Sequence, residues 1–224
     1  MKQVPDGNAA RLDPDTGTII RSSAASRTNP YDLFALEEAL LLKEKTGAEV
    51  TVLTMGPEES EAMMRDAYSM GADSAVILSD MKFAGSDVLA TAFTLSQGIT
   101  VLGGADLIIC GRQTTDGDTA QVGPALAEYL HIPHAAWISE VADITEDHID
   151  IRQEVGSLTQ VLRMSFPCLI TVESNINVPR LPSYKLSMAT SSKPVRFLTF
   201  KDMPEQDLSK YGLLGSPTNV IKMF

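Results

Sequence analysis

The residues best suited to ligand chemistry lie in a polar loop, Gly111 to Val122, that follows a short apolar run, Leu107 to Cys110. The backbone N–H groups at the start of the helix expected next, with the positive end of its dipole, favour an anion such as a phosphate. The loop has neither the Gly-Lys-Ser/Thr of a P-loop nor a G-x-G-x-x-G pattern. Its aspartates, Asp116 and Asp118, suit ribose hydroxyls or backbone amides. The pattern indicates a site for a phosphate-bearing ligand, and an ordinary capped turn is the alternative.

Two glycines and two capping residues define the expected shape of this loop. Gly111 and Gly117 should let the backbone turn sharply and approach a ligand closely, and Gly117 is a candidate for an unusual φ. Asp118 or Thr119 should cap the following helix. The apolar run before the loop should be a parallel strand that is covered on both faces. In open α/β sheets, ligands bind at the carboxyl ends of strands, which is where this loop falls.

Composition and charge exclude several classes of function. The 224 residues carry a formal net charge of −11, which argues against binding to nucleic acid or to an anionic membrane. No apolar run approaches the ~20 residues that span a bilayer, and residues 1–30 are too polar for a signal peptide. Cys110 and Cys168 lie in apolar runs, so we expect small buried hydrophobes in a reducing cytoplasm. His131 and His134 lack the spacing of a zinc site, and no catalytic residue is predicted.

Strands alternate with helices in the first part of the chain, which predicts an α/β fold with a doubly wound parallel sheet. Leu33, Leu36 and Leu40 recur at helical spacing, in a helix that Asn29 should cap and Gly47 should end. The other predicted strands and helices of this part cover residues 49–55, 56–70, 74–79, 86–102, 106–110 and about 120–130.

The pattern changes after Pro133. Short strand-like runs predict a small antiparallel addition at the sheet edge, and they cover residues 134–138, 148–153, 159–164 and 168–172. Residues 174–224 are rich in Pro, Ser and Lys and weakly periodic, so we expect an extended C-terminal arm. The chain therefore divides into a nucleotide-binding α/β domain, residues 1–172, and a recognition loop with the arm, residues 173–224. A turn is also expected at residues 13–17.

The run from Gly111 to Pro124 resembles the nucleotide loop of the β subunit of electron-transfer flavoproteins, and it is most similar to the flavin-bifurcating branch. Further segments match the family in order along the chain: Lys2–Asp6, Asn29–Asp32, Met55–Pro57, Gly71–Asp73 and Ser79–Asp87. The resemblance implies an adenine nucleotide α-hydrolase-like fold. It also implies a central strand before Lys2 and a C-terminal helix after Phe224.

The same resemblance implies the cofactor chemistry. In the bifurcating branch this site holds FAD, which receives a hydride from NADH, whereas the simple branch binds AMP there. The form Asp116-Gly-Asp-Thr-Ala-Gln121 favours the bifurcating branch, and the segment Asp80–Thr91 resembles the part that lies near NADH and the flavin ring. The residues that the resemblance assigns to the cofactor are Val4, Asn29, Tyr31, Asp32, Met55, Asp80, Phe83, Gly85, Thr91, Cys110, Gly111, Arg112, Gln113, Asp116, Gly117, Asp118, Thr119, Ala120, Gln121 and Val122.

Residues 173–190 fall where the family has its dehydrogenase-recognition loop, with Pro182, Tyr184 and Leu186 as the expected partner contacts. Tyr184 is expected either to anchor the interface or to fold back onto its own subunit. The family's usual basic ending is replaced by Met188-Ala-Thr-Ser-Ser. This leaves room for a lactate or other 2-hydroxy-acid dehydrogenase beside an acyl-CoA dehydrogenase. The other implied partners are an α subunit, in a heterodimer, and ferredoxin as low-potential acceptor.

Three functions are compatible with the sequence. The chain is a bifurcating β subunit with FAD and NADH, a simple electron carrier with structural AMP, or a non-redox regulator that binds an adenine nucleotide. The visible spectrum of a purified heterodimer separates them, because they predict two flavins, one flavin plus AMP, and no flavin.

Overall fold

The computed structural model describes residues 1–6, 11–12, 19–20 and 26–218. Within them, the α helices are α1 (Pro30–Thr46), α2 (Glu61–Met70), α3 (Val88–Val101), α4 (Val122–Leu130) and α5 (Tyr184–Thr190). The strands are β1 (Gln3–Pro5), β2 (Arg11–Leu12), β3 (Ile19–Ile20), β4 (Ser26–Thr28), β5 (Thr51–Met55), β6 (Ser74–Leu78), β7 (Leu107–Gly111), β8 (His134–Ile144), β9 (His148–Val155), β10 (Leu158–Ser165), β11 (Cys168–Val172) and β12 (Arg196–Leu198). The turn predicted at residues 13–17 lies outside the described residues.

The strands form two main sheets and two short antiparallel pairs, β1 with β4 and β2 with β3. One main sheet is parallel, in the order β12-β6-β5. The other has the order β10-β9-β8-β11-β7. Its strands β8, β11 and β7 are parallel, and β8, β9 and β10 are antiparallel. The predicted α/β class with parallel strands is therefore confirmed, although the strands hydrogen-bond as two sheets.

The predicted antiparallel addition is confirmed for β8, β9 and β10 and wrong for β11. This last strand lies between β8 and β7 and runs parallel to both. Its residues Cys168–Val172 are all buried, as expected of a central parallel strand. The chain reaches β11 directly from the antiparallel hairpin, and this order in the sequence hides its parallel pairing.

Helices cover both faces of the larger sheet at β11. Leu169 shares a buried cluster with Ala92 of α3 and Leu126 of α4, whereas Ile170 shares one with Ala35 of α1. Successive side chains of a strand point to opposite faces, so α1 lies on one face and α3 and α4 lie on the other. Within the described part of the chain, none of the helices has the length and apolar character needed to cross a bilayer.

The C-terminal stretch differs from the extended arm that its composition predicts. β12 pairs in parallel with β6. Phe200, Met203 and Tyr211 share a buried cluster with Phe83 of the segment before α3, and the Tyr211 ring lies 5.7 Å from that of Phe83. These side chains are held in short 3₁₀ turns and irregular backbone, so their burial leaves no helical or strand periodicity in the sequence.

Candidate functional site

The predicted ligand loop follows β7 and ends where α4 begins at Val122. The prediction that Asp118 or Thr119 caps α4 is wrong. Gln121 is the N-cap residue, and its side chain makes no capping hydrogen bond within the described structure. Asp118 instead accepts a hydrogen bond from the Gln113 side chain. The N–H groups of the first turn of α4 are therefore left without a side-chain cap, the arrangement that suits an anion.

Asn29 holds the loop against the start of α1. It occupies the N-cap position of α1, as the sequence predicts, but its side chain makes no capping hydrogen bond there. Its Nδ2 donates to the Gln113 carbonyl at 2.9 Å, and its Oδ1 accepts from the Thr115 N–H at 3.3 Å. Asn29 is fully buried. An amide carries one donor group and one acceptor, so it can satisfy both backbone groups of the loop at once.

Gly111 is the glycine that the fold requires. A Cβ at this position would lie 2.6 Å from Asp32 Oδ1 and 2.6 Å from the Tyr31 carbonyl carbon. β7 can therefore approach the first turn of α1 closely only without a side chain. A Cβ at Gly117 would meet no atom closer than Thr114 Oγ1 at 3.4 Å. The φ of Gly117 is not left-handed.

The unusual backbone of the loop lies on either side of Thr119. Asp118 has φ of 51° and Ala120 has φ of 54°, in the left-handed region that non-glycine residues seldom adopt. The prediction of an unusual φ at Gly117 is therefore wrong. From the sequence, a left-handed φ is expected first at glycine, whereas here the folded chain holds Asp118 and Ala120 in that conformation.

Lys2 joins the amino end of the chain to this loop. Its N–H donates to Asp32 Oδ2 at 2.6 Å, and its Nζ donates to both carboxylate oxygens of Asp116 at 2.7 Å. Burial raises the pKa of Asp32 above its ordinary value. For Asp116, burial acts in the same direction, but the hydrogen bonds and charge of Lys2 outweigh it and lower the pKa. Asp32, beside the loop, thus has a raised pKa, and Asp116, within the loop, has a lowered pKa.

A cavity of about 2160 Å³ opens beside the loop and continues between β5 and β7. It exceeds the roughly 300–1,000 Å³ of ordinary ligand pockets. The predicted cofactor residues that line it are Val4, Asp32, Met55, Asp80, Phe83, Gly85, Thr91, Cys110, Gly111, Arg112, Gln113, Gly117, Thr119, Ala120, Gln121 and Val122. The other four are not part of this lining: Asn29 and Tyr31 lie beside the loop, and Asp116 and Asp118 belong to it.

The prediction that β7 is covered on both faces is confirmed, because Leu107 and Ile109 pack in the cluster on the α1 face and Ile108 and Cys110 pack in the cluster on the α3 and α4 face. The strand is only half-buried because it ends its sheet, and all five of its residues line the cavity along its free edge. Burial raises the pKa of the Cys110 thiol to about 11, so this group is a neutral part of the wall at neutral pH. Among the described residues, no group of three His, Cys, Asp or Glu side chains is arranged to hold a metal ion.

The segment predicted to lie near a flavin ring is fastened to the C-terminal stretch. Asp80 Oδ1 accepts from the Lys82 N–H at 3.0 Å, and Oδ2 accepts from the Phe200 N–H at 3.1 Å. Phe83 is buried, and Gly85 has φ of 75°. Asp80 and Phe83 therefore line the cavity, and their side chains also hold this segment against the C-terminal stretch.

The predicted recognition segment exposes its apolar side chains. Tyr184 is 82% exposed, so it does not fold back onto its own subunit in this structure. Leu181 and Val178 are exposed to a similar extent. The predicted contacts Pro182 and Leu186 are also on the surface. Several exposed apolar side chains within one short segment are typical of an interaction site.

Two residues that touch the site carry no local signal in the sequence. Lys2 belongs to a matching segment, but its partner Asp116 is 114 positions away. Glu173 accepts a hydrogen bond at 2.7 Å from Arg112, 61 positions away. Spacing along the chain cannot reveal such pairs, because only the strand order brings them together.

Comparison with known proteins matches residues 16–203 to the electron transfer flavoprotein domain. An electron transfer flavoprotein subunit beta of Thermoanaerobacterium thermosaccharolyticum is 44% identical, over 99% of this chain and 84% of the relative. A protein FixA of Sinorhizobium fredii is 41% identical, over 100% of this chain and 81% of the relative. An acryloyl-CoA reductase electron transfer subunit gamma of Anaerotignum propionicum is 41% identical, over 100% of this chain and 86% of the relative.

Proposed function

The chain belongs to the electron transfer flavoprotein β-subunit family, and we propose that it binds FAD at the loop after β7 and takes part in flavin-based electron bifurcation. Proteins of this family bind flavin and AMP, and their β subunits pair with an α subunit and with partner dehydrogenases. Beyond these family properties, we propose that the nucleotide is FAD, that NADH is the electron donor and that ferredoxin is the low-potential acceptor.

The observation that carries the proposal is the loop itself, from Arg112 to Gln121. It ends at a helix whose first N–H groups lack a side-chain cap in the described structure, and it borders the cavity that runs along the free edge of β7. These groups fit the pyrophosphate of a dinucleotide. Val4, Met55 and Cys110 supply apolar wall to the same cavity. Asp116 and Asp118 carry carboxylates that suit ribose hydroxyls.

The residues of this chain would bind and orient the cofactor, which when bound would supply the capacity to accept a hydride from NADH and to pass on electrons. Asn29 keeps the loop backbone at residues 113–115 in one position. Gly111 keeps the carboxyl end of β7 against α1. The wall formed by Asp80, Phe83 and Gly85 would lie beside the part of the ligand that extends beyond the adenosine.

The alternative is a simple electron carrier with AMP in the same loop. Two relatives favour the first proposal by their names, the acryloyl-CoA reductase subunit and a caffeyl-CoA reductase complex subunit of Acetobacterium woodii that is 39% identical over the whole chain. The dehydrogenase partner is proposed to be a flavoenzyme that acts on an acyl-CoA or on lactate or another 2-hydroxy acid. An adenine nucleotide α-hydrolase-like fold, the domain division at residue 172, and a cytoplasmic location belong to the same proposal.

The test is the cofactor content of the heterodimer, purified after co-expression with its α subunit. Two FAD per heterodimer, one of them reduced by NADH, would support the proposal. One FAD plus one AMP would establish the simple carrier instead. Asn29→Ala provides the control at the loop, because it should remove the nucleotide of this subunit and leave the flavin of the α subunit in place. Retention of both flavins in that variant would place the second flavin elsewhere.

A further inference from the structure

Trp137 is held in a backbone conformation that a large side chain rarely adopts. It lies in β8 with φ of 62°, at the point where the register between β8 and β11 shifts. Its N–H donates to Thr171 Oγ1 at 3.0 Å, outside the regular ladder. Strained backbone of this kind persists only where the surrounding structure maintains it, and bulges redirect a side chain. The direction of the indole is thus a built feature of the fold.

The redirected indole lies against Arg112, the first residue of the ligand loop. The guanidinium carbon of Arg112 is 4.7 Å from the centre of the Trp137 ring, within the range of a cation–π contact. Arg112 Nη1 donates to Glu173 Oε1 at 2.7 Å. The Arg112 N–H donates to the Val172 carbonyl at 3.0 Å. Backbone, carboxylate and ring therefore restrain Arg112 from three sides.

These residues come from three adjacent strands of one sheet. Trp137 lies in β8, Glu173 follows β11, and Arg112 follows β7, in the strand order β8-β11-β7. Arg112 also lines the large cavity, whereas Trp137 does not. The Nε of Arg112 is buried and has no hydrogen-bond partner among the described residues.

We propose that Trp137 is a positioning residue for the nucleotide loop, which acts by holding the Arg112 guanidinium between its ring and Glu173. In this position Arg112 stays on the cavity wall and fixes the start of the loop for the phosphate part of an adenine nucleotide. The inference rests on the proposed function of the loop. It assigns a role to a residue that lies outside the loop and outside the short motifs that carry the resemblance to the family.

The test compares two substitutions that keep an apolar side chain. Trp137→Phe retains an aromatic face for the guanidinium, and Trp137→Leu does not. In heterodimer stripped of nucleotide, we expect Trp137→Leu to weaken binding of FAD and of AMP on the order of tenfold, and Trp137→Phe by about threefold or less. The urea midpoint should stay unchanged in Trp137→Phe, which keeps the comparison valid if the leucine variant folds poorly.

A double-mutant cycle with Arg112→Lys shows whether Trp137 acts through Arg112. If it does, the loss caused by Trp137→Leu disappears in the Arg112→Lys background, because a lysine ammonium does not stack in the same way. An equal loss in both backgrounds, or unchanged affinity in Trp137→Leu, overturns the inference. A wild-type heterodimer that binds neither FAD nor AMP at this subunit overturns the proposed function instead, so the two failures are distinct.

Discussion

Arg180 binds Glu37 through parallel hydrogen bonds, with Nε 2.9 Å from Oε2 and Nη2 2.9 Å from Oε1. Its backbone N–H donates to the same carboxylate at 2.9 Å, and Nη1 donates to Glu44 at 2.6 Å. Asn177 adds a bond of 2.9 Å to Glu38. The segment that leads to the exposed Tyr184 is therefore fastened along one side of α1.

Replacing Arg180 should destabilise the folded chain. Glu37 is buried, so Arg180→Ala would leave its carboxylate without the guanidinium that balances it. Breaking a fully buried pair costs roughly 3–5 kcal/mol, and the part-exposed guanidinium reduces the expected loss to about 2 kcal/mol. Urea unfolding of the heterodimer measures this change. The matched control is Arg152→Ala, because Arg152 pairs with Glu140 on the exposed surface, and its unfolding midpoint should hardly move.

The same pair predicts a dependence on pH. Burial alone would raise the pKa of Glu37, but the hydrogen bonds and charge of Arg180 outweigh it and lower the pKa below the ordinary value. The stabilisation is then fully present above the unfolded value of about 4.3 and is lost as the pH falls through the lower folded value. The difference in unfolding free energy between wild type and Arg180→Ala should shrink from pH 6 towards pH 3.5. A difference that grows on acidification would contradict this assignment.

Gly111→Ala should damage the site, and Gly117→Ala should not. The first variant places a Cβ against the backbone of Tyr31 and the Asp32 carboxylate, and such overpacking costs roughly 1–3 kcal/mol. We expect FAD content of this subunit to fall with stability. Gly117→Ala meets no atom closer than 3.4 Å, so its FAD affinity should change by about twofold or less. Equal loss in both variants would show that loop flexibility, rather than the β7–α1 contact, governs binding.

Tyr184→Ala should weaken binding of the dehydrogenase and leave the flavin site intact. Tyr184 stands out from the surface near a second exposed apolar residue, Leu181, and aromatic anchors of this kind contribute about 2 kcal/mol or more. Affinity for the dehydrogenase that co-purifies with the heterodimer is the measurement, beside NADH oxidation with an artificial acceptor. Leu158→Ala is the control, because Leu158 is exposed at the start of β10, outside this segment. Unchanged affinity in Tyr184→Ala would remove this residue from the interface.

Local patterns in the sequence predict the elements that depend on neighbouring residues. The helix α1 follows from its leucine spacing, and Pro30 and Gly47 stand at its ends as expected. The strand β7 follows from a short apolar run, and the ligand loop follows from the change to polar residues after it. Each of these signals is contained within a few turns of backbone.

The errors arise where a residue has a choice between a local and a distant partner. Asn29 stands at the N-cap position of α1, but its side chain bonds to Gln113, 84 positions away, instead of capping the helix. β12 and Tyr211 reach the core through pairings that span more than a hundred positions. Helix capping and periodicity describe local competition alone, and they cannot register a better partner that folding brings from elsewhere.

The helix α1 also connects the ligand loop with the base of the recognition segment. Its amino end adjoins Asn29, which holds the ligand loop, and Glu44 near its other end holds Arg180. With a rise of 1.5 Å per residue, these two positions lie about 22 Å apart, so a tilt of about 5° at the first displaces the second by about 2 Å. A tilt of this size at the loop would therefore move the base of the recognition segment by about the diameter of an atom.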